Sequence, residues 1–409
     1  MHLLGGDCMS DKKEKFLTRN YILMLLLNCI YGVSQNFITT PLAKQGVAIG
    51  LSMTTIGTIA SAVTIIAMIC RPIFGNFMDR INIKKVLYLA LGCLFLSFAL
   101  IGLGSNNNAV FYTVGRLVYG AGFSAVGTCL AAATSLSVSK TQIASGISVF
   151  LMAPMILKTF TPNISMWLIE TYGYKVNGLV AAVLLATGFI CVAQLDISQQ
   201  HRSIALKEKE PFKLSNLIAK EAVPPAIVNV CFGMLTTAVV SNIIVYGDNM
   251  GIANVVMFMT IYNACNIFTR GCGGFIADKL GVRALMYPCL LCATGALLVL
   301  AFFPTLPMVC VAAVLYSLGF SGSMSTVQTM CIRSVEAERA GVANSTYYLS
   351  ADLGGIIINP IVGIILDSVG FQFMYLTMLI PVAIAAVVFT VIMATMGDRY
   401  ARKSEISAS

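Results

Sequence analysis

Roughly 20 consecutive apolar residues carry a helix across a bilayer's hydrocarbon core, and this chain is built of blocks on that scale, each closed by a short polar break. The pattern predicts spans at 20–42, 51–74, 86–103, 109–134, 143–168 and 176–195, then at 222–246, 252–274, 284–304, 307–331, 341–366 and 371–395. A linker of mixed charge, 196–221, separates the sixth span from the seventh, and polar tails occupy 1–19 and 396–409. The expected fold is therefore an all-α polytopic membrane protein, with twelve transmembrane helices in two pseudo-symmetric six-helix bundles.

Composition sharpens this picture and closes off others. Residues are 58% hydrophobic and 11% charged, where soluble chains carry about 25% charged residues. The first 20 residues are polar and lack the apolar stretch of a signal peptide; Met9 is a second candidate initiator. The 13 cysteines fall mostly inside apolar runs, where they pack as small hydrophobes. Cys289 and Cys292 form a lone C-x-x-C within such a run, and no second ligand pair accompanies it. The only histidines are His2 and His201, both outside the spans, and no G-x-x-x-x-G-K-[ST] loop is present. These features point away from an enzyme, a metal site, a cofactor or an ATP-driven pump.

Charge orients the spans. Twenty Lys and Arg residues, from Lys12 to Lys403, fall on the side of the termini, against Lys44 and Lys175 on the other. Cytoplasmic loops carry that excess, so both termini and the linker are expected in the cytoplasm, with the protein in the cell membrane. The net charge of +9 then suits anionic lipid headgroups rather than nucleic acid.

The stretch RPIFGNFMDRINIKK at 71–85 recurs 199 residues later as RGCGGFIADKLGVR. Arg71 aligns with Arg270, Gly75 with Gly274, Asp79 with Asp278 and Arg80 with Lys279. Pro162 and Pro360 stand 198 apart, Gly173 and Gly370 stand 197 apart. Parallel repeats of this kind are a transporter architecture. The two loops resemble the Gly-x-x-x-Asp-Arg/Lys motif of the major facilitator superfamily, as do GRLVYG in the fourth span, ERAGVANS at the eleventh and the six-plus-six layout. The wording of the first loop is most similar to drug/proton antiporters and sugar-efflux permeases. Asn82 replaces the usual loop Gly, which Gly281 keeps, and of the antiporter motif of the fifth span only Pro162 is present. The resemblance implies a cytoplasmic gate formed by Gly75, Asp79, Arg80, Lys84, Gly274, Asp278, Lys279 and Arg283. It also implies that Asp79 meets the start of the eleventh span and that Arg80, Lys84 and Lys85 add breakable charge pairs.

Charges at bilayer depth cost at least ~2.5 kcal/mol, so they face the bundle interior or water. Arg116, Lys158 and Asp352 lie inside spans and are the candidates for substrate contact or proton coupling. Asp352 is the one acid well inside a span, which makes it the leading proton carrier. Arg71 and Arg270 close the second and eighth spans and are read as snorkelling to headgroups. Asn28, Tyr31 and Gln35 share one face of the first span, and Asn229 and Thr236 one face of the seventh; both faces are expected to line the cavity. The expected activity is proton-coupled export of a small organic solute by a monomer. The alternatives are proton-coupled uptake of an organic anion on Arg116 and Lys158, and a receptor that no longer transports.

Overall fold

The computed structural model describes residues 18–80, 83–104, 108–137, 143–196, 218–335 and 339–396, without the side chains at 72, 75–80, 131–137, 143–148, 151, 270–280, 340 and 341. The tails, most of the linker, and the side chains of Gly75, Asp79, Arg80, Gly274, Asp278 and Lys279 lie outside the described residues.

Every element is helical among the described residues. The first half comprises α1 (Arg19–Thr39), the short α2 (Leu42–Ala48), α3 (Met53–Arg80), α4 (Ile83–Leu103), α5 (Ala109–Ser137) and α6 (Ile143–Gln194). The second comprises α7 (Val223–Met250), α8 (Met257–Phe302), α9 (Leu306–Arg333), α10 (Ala340–Ser368), α11 (Gly370–Thr377) and α12 (Leu379–Thr395). At 52 residues α6 would run about 78 Å if straight, far beyond a hydrocarbon core of about 30 Å. It breaks at Gly173, with φ 83° and ψ 171°, and crosses twice. In the same way α8 breaks at Gly281. With α11 and α12 sharing one crossing, the described helices make twelve passes, and Arg19 and Thr395 lie at one end.

Two of these details depart from the sequence expectation. The helices run on past Arg71 and Arg270, α3 to Arg80 and α8 to its break at Gly281, although the membrane-length apolar stretch of α3 does end at Arg71. The spans expected at 143–168 and 176–195 are joined through a single left-handed glycine rather than a loop.

Each half packs its own core. Leu27, Leu87, Leu94, Phe98, Tyr112 and Leu185 are fully buried in the first, and Phe232, Phe258, Met286, Tyr316, Tyr375 and Phe389 in the second. Large apolar side chains such as Leu89, Phe160, Phe268, Leu291 and Val387 point outward, as helices bathed in lipid require.

The halves meet along α3 with α10 and α6 with α8. At the end opposite the termini, here the distal end, α3 and α10 touch backbone to backbone. A Cβ on Gly57 would overlap the Asn359 carbonyl, and one on Gly363 would overlap Met53 and Thr54. Asp367 of α10 caps the start of α3: its carboxylate accepts from the Met53 amide at 2.9 Å, the Thr54 amide at 2.8 Å and the Thr54 hydroxyl at 2.6 Å. A carboxylate there also faces the positive end of the α3 dipole. Lys44 bridges to Asp248 of the other half at 2.9 Å.

Candidate functional site

Charges within the helices organise the interface. Arg71 of α3 donates to the Asp352 carboxylate of α10, forming an ion pair between the two bundles. Arg71 therefore does not snorkel to headgroups: it sits 18 residues into α3, about 27 Å from the distal end, where a carboxylate rather than water is its neighbour. Both side chains are partly buried.

Lys158 lies about halfway along the first limb of α6. Its stem packs against α1 because position 32 is glycine; a Cβ there would stand 2.9 Å from Lys158 Cε. Its ammonium donates to Gln35 Oε1 at 3.4 Å. Gln35 Nε2 in turn donates to the Tyr119 hydroxyl at 2.8 Å. The Tyr119 ring is held between Phe98 and Phe123, with centroids 6.3 and 5.6 Å away. The Lys158 carbonyl accepts from Asn36 at 3.2 Å and, across the bundle interface, from Asn263 at 3.4 Å. Among the described residues no carboxylate stands within ion-pair distance of Lys158 or Arg116.

Arg116 sits seven residues into α5, about 10 Å below the distal end, and is only 7% exposed. Its Nε has no hydrogen-bond partner. It lines a cavity of about 230 Å3 between the bundles, whose polar walls include Thr64, Tyr119, Thr237, Ser241, Asn242 and Asn359.

The remaining sequence candidates are occupied by packing. Asn28 donates to the Phe150 carbonyl at 2.7 Å, tying α1 to α6, and Asn229 to the Tyr347 carbonyl at 2.7 Å, tying α7 to α10. Tyr31 reaches the Phe123 carbonyl at 3.4 Å, and the Thr236 hydroxyl bonds Phe232 on its own helix at 3.0 Å. None of these four, nor Gln35, is in the walls of the 230 Å3 cavity. Lys84 donates to the Ala193 and Leu195 carbonyls at 2.7 and 2.9 Å, at the end of α6. Arg283 donates to Met393 at 2.6 Å, at the end of α12. Both neutralise the unpaired last carbonyls of a helix within their own bundle. Sequence reasoning did not foresee the cavity walls on α7 and α10, Thr237, Ser241, Asn242 and Asn359. Their signal was small polar residues recurring at helical spacing on spans that face each other.

This fold is found in solved transporters. A POT family transporter in complex with 5-aminolevulinic acid superposes with a TM-score of 0.75 at 13% identity, covering 94% of this chain and 97% of that one. A mutant of the nucleoside transporter NupG gives 0.73 at 14% identity, over 92% and 99% of the two chains. A bacterial homologue of the human lysosomal transporter Spinster, in an inward-facing and unoccupied conformation, gives 0.71 at 13% identity, over 94% and 98%. In sequence, the staphylopine export protein of Staphylococcus aureus is 23% identical over 371 residues, 88% of this chain and 91% of that protein. The sequence profile of the Major Facilitator Superfamily matches residues 24–355 and 253–408. With twelve crossings, two like halves and a charged interface between them, the chain belongs to the major facilitator superfamily of membrane transporters.

Proposed function

We propose that this transporter exports a small organic solute in exchange for protons, working as a monomer in the cell membrane with its termini and linker in the cytoplasm. One observation carries the reading: Asp352 is held at the bundle interface by a cation of the opposite bundle, Arg71. A proton on Asp352 removes the charge that Arg71 answers. Ionised, the pair ties α3 to α10; neutral, it leaves the halves free to rearrange. Proton binding and bundle movement thereby share one equilibrium, which is what coupling requires. The export direction draws support from the relative named as an export protein and from the antiporter-like wording of 71–80. Uptake of an organic anion with protons would use the same pair, with Arg116 and Lys158 as contacts, so the sign of flux separates the two readings.

The test is reconstitution of the full chain in liposomes loaded with a pH-sensitive dye, screening organic solutes for those that move protons. Asp352→Asn is expected to lose pH-driven flux while solute exchange at equal pH persists. Undiminished proton movement in Asp352→Asn would sink the coupling. Solute-proton movement in the same direction would replace export with uptake.

A further inference from the structure

We infer that the solute is an organic anion, and that its carboxylate seats on Arg116 in the cavity between the bundles. This deepens the transporter reading and rests on it. The other two described cations at the bundle interface that reach an acid are answered from across it: Arg71 by Asp352 and Lys44 by Asp248. Arg116 is buried more deeply than either, yet its Nε is unpartnered and, among the described residues, no acidic side chain lines its cavity. A guanidinium taken out of water without a counter-charge is costly to hold, and the cost disappears when an anion arrives. Its planar fork matches a carboxylate with two parallel hydrogen bonds.

The rest of the wall supports a compact polar guest. Thr64, Thr237, Ser241, Asn242 and Asn359 offer hydroxyl and amide groups, all neutral. About 230 Å3 lies below the ~300–1,000 Å3 of pockets for drug-sized ligands, which favours a small acid over a lipophilic drug. The route beyond is positive too. Tyr119, three residues from Arg116 and also in the wall, bonds Gln35, which bonds the ammonium of Lys158. Lys158 is thus the next cation along a hydrogen-bonded chain that starts in the cavity wall.

The experiment is titration of the full-length protein in nanodiscs with succinate and citrate. Succinamide serves as the uncharged counterpart of succinate, and inorganic phosphate as the other anion an arginine accepts. Binding is followed by calorimetry and by thermal stability. The carboxylates are expected to bind and stabilise, and succinamide is not. Arg116→Gln should weaken binding on the order of a hundredfold, and Arg116→Lys less, because a single ammonium lacks the fork. Ser241→Asp provides a variant that does not remove the arginine. It supplies a carboxylate from the opposite wall and should raise thermal stability without ligand while abolishing the succinate response. Equal binding of succinate and succinamide, wild-type binding in both Arg116→Gln and Ser241→Asp, or no carboxylate binding at all would overturn the inference. Binding of phosphate alone would overturn the carboxylate class. Because these are equilibrium measurements, they stand apart from direction and coupling: carboxylate binding without proton movement would fail the export reading and leave this one intact.

Discussion

The two bundles repeat each other about 200 residues apart, and the places where they agree differ in kind from those where they do not. Asn28 and Asn229 each tie the first helix of a half to its fifth crossing through one carbonyl, both at 2.7 Å. Lys84 and Arg283 each cap the last helix of their own half. Gly173 and Gly370 turn the chain at φ 83° and 84°, a conformation only glycine adopts at little cost. Of the charged interface positions, Arg71 recurs as Arg270, but its acid and the two other cations inside spans do not. Lys158 corresponds to Gly355, Ile356 or Ile357, Asp352 to Ala153, Pro154 or Met155, and Arg116 to Ala313, Val314 or Leu315. Each bundle must close the same helix ends and satisfy the same backbone groups, so those contacts occur twice. A coupling acid or a solute contact is needed once, and doubling it would add a second buried charge to compensate.

That contrast can be broken or sharpened by substitution. The largest effect is expected at the unrepeated pair. Asp352→Ala leaves Arg71 partly buried and unanswered. Given the solvent still reaching both side chains, we expect about 1–3 kcal/mol lost in chemical unfolding, with proton-driven flux abolished. The charge-reversed double variant, Arg71→Asp with Asp352→Arg, should recover most of the stability, and equal loss in single and double variants would deny the pair. Next comes Gly32→Ala, which crowds Lys158 and Pro154 and should cost about 1–3 kcal/mol, partly restored by Lys158→Ala. Its repeat, Gly233, faces the Ala351 backbone, so Gly233→Ala has no single side chain to remove, and rescue there would break the distinction.

Smaller and matched effects are expected at the repeated positions. Asn28→Ala and Asn229→Ala should each cost about 0.6–1.7 kcal/mol, with similar falls in melting temperature and flux retained. A flux loss confined to Asn28→Ala would return that residue to the solute path. Smallest are Lys84→Ala and Arg283→Ala, at about 0.3–1 kcal/mol each, read as paired small shifts in thermal stability.

The crossings were legible because a bilayer imposes one length on every apolar block, and the breaks between blocks are polar. The length of a helix beyond the bilayer is under no such rule, which is why α3 runs on to Arg80, past the apolar stretch that ends at Arg71. The Arg71–Asp352 pair spans 281 residues of sequence, and only the packing of α3 on α10 reveals it. Even so, Asp352, an acid stranded in an apolar span, was a signal that it needed a partner, while Arg71 at the end of its span was not. The polar stripe of Asn28, Tyr31 and Gln35 was visible, but one helix face of amides looks the same whether it meets solute or a neighbour's carbonyl. Asn28 recurs as Asn229 with the same bond to a neighbouring helix, whereas the counterpart of Gln35 is Thr236, whose hydroxyl bonds Phe232.

The glycine contact of α3 with α10 bears on how such a carrier idles. Where Gly57 and Gly363 lie against backbone, the contact itself holds no side chain that can swing aside. Opening at this end therefore requires α3 and α10 to part as bodies, with the Asp367 cap and the Lys44–Asp248 bridge released together.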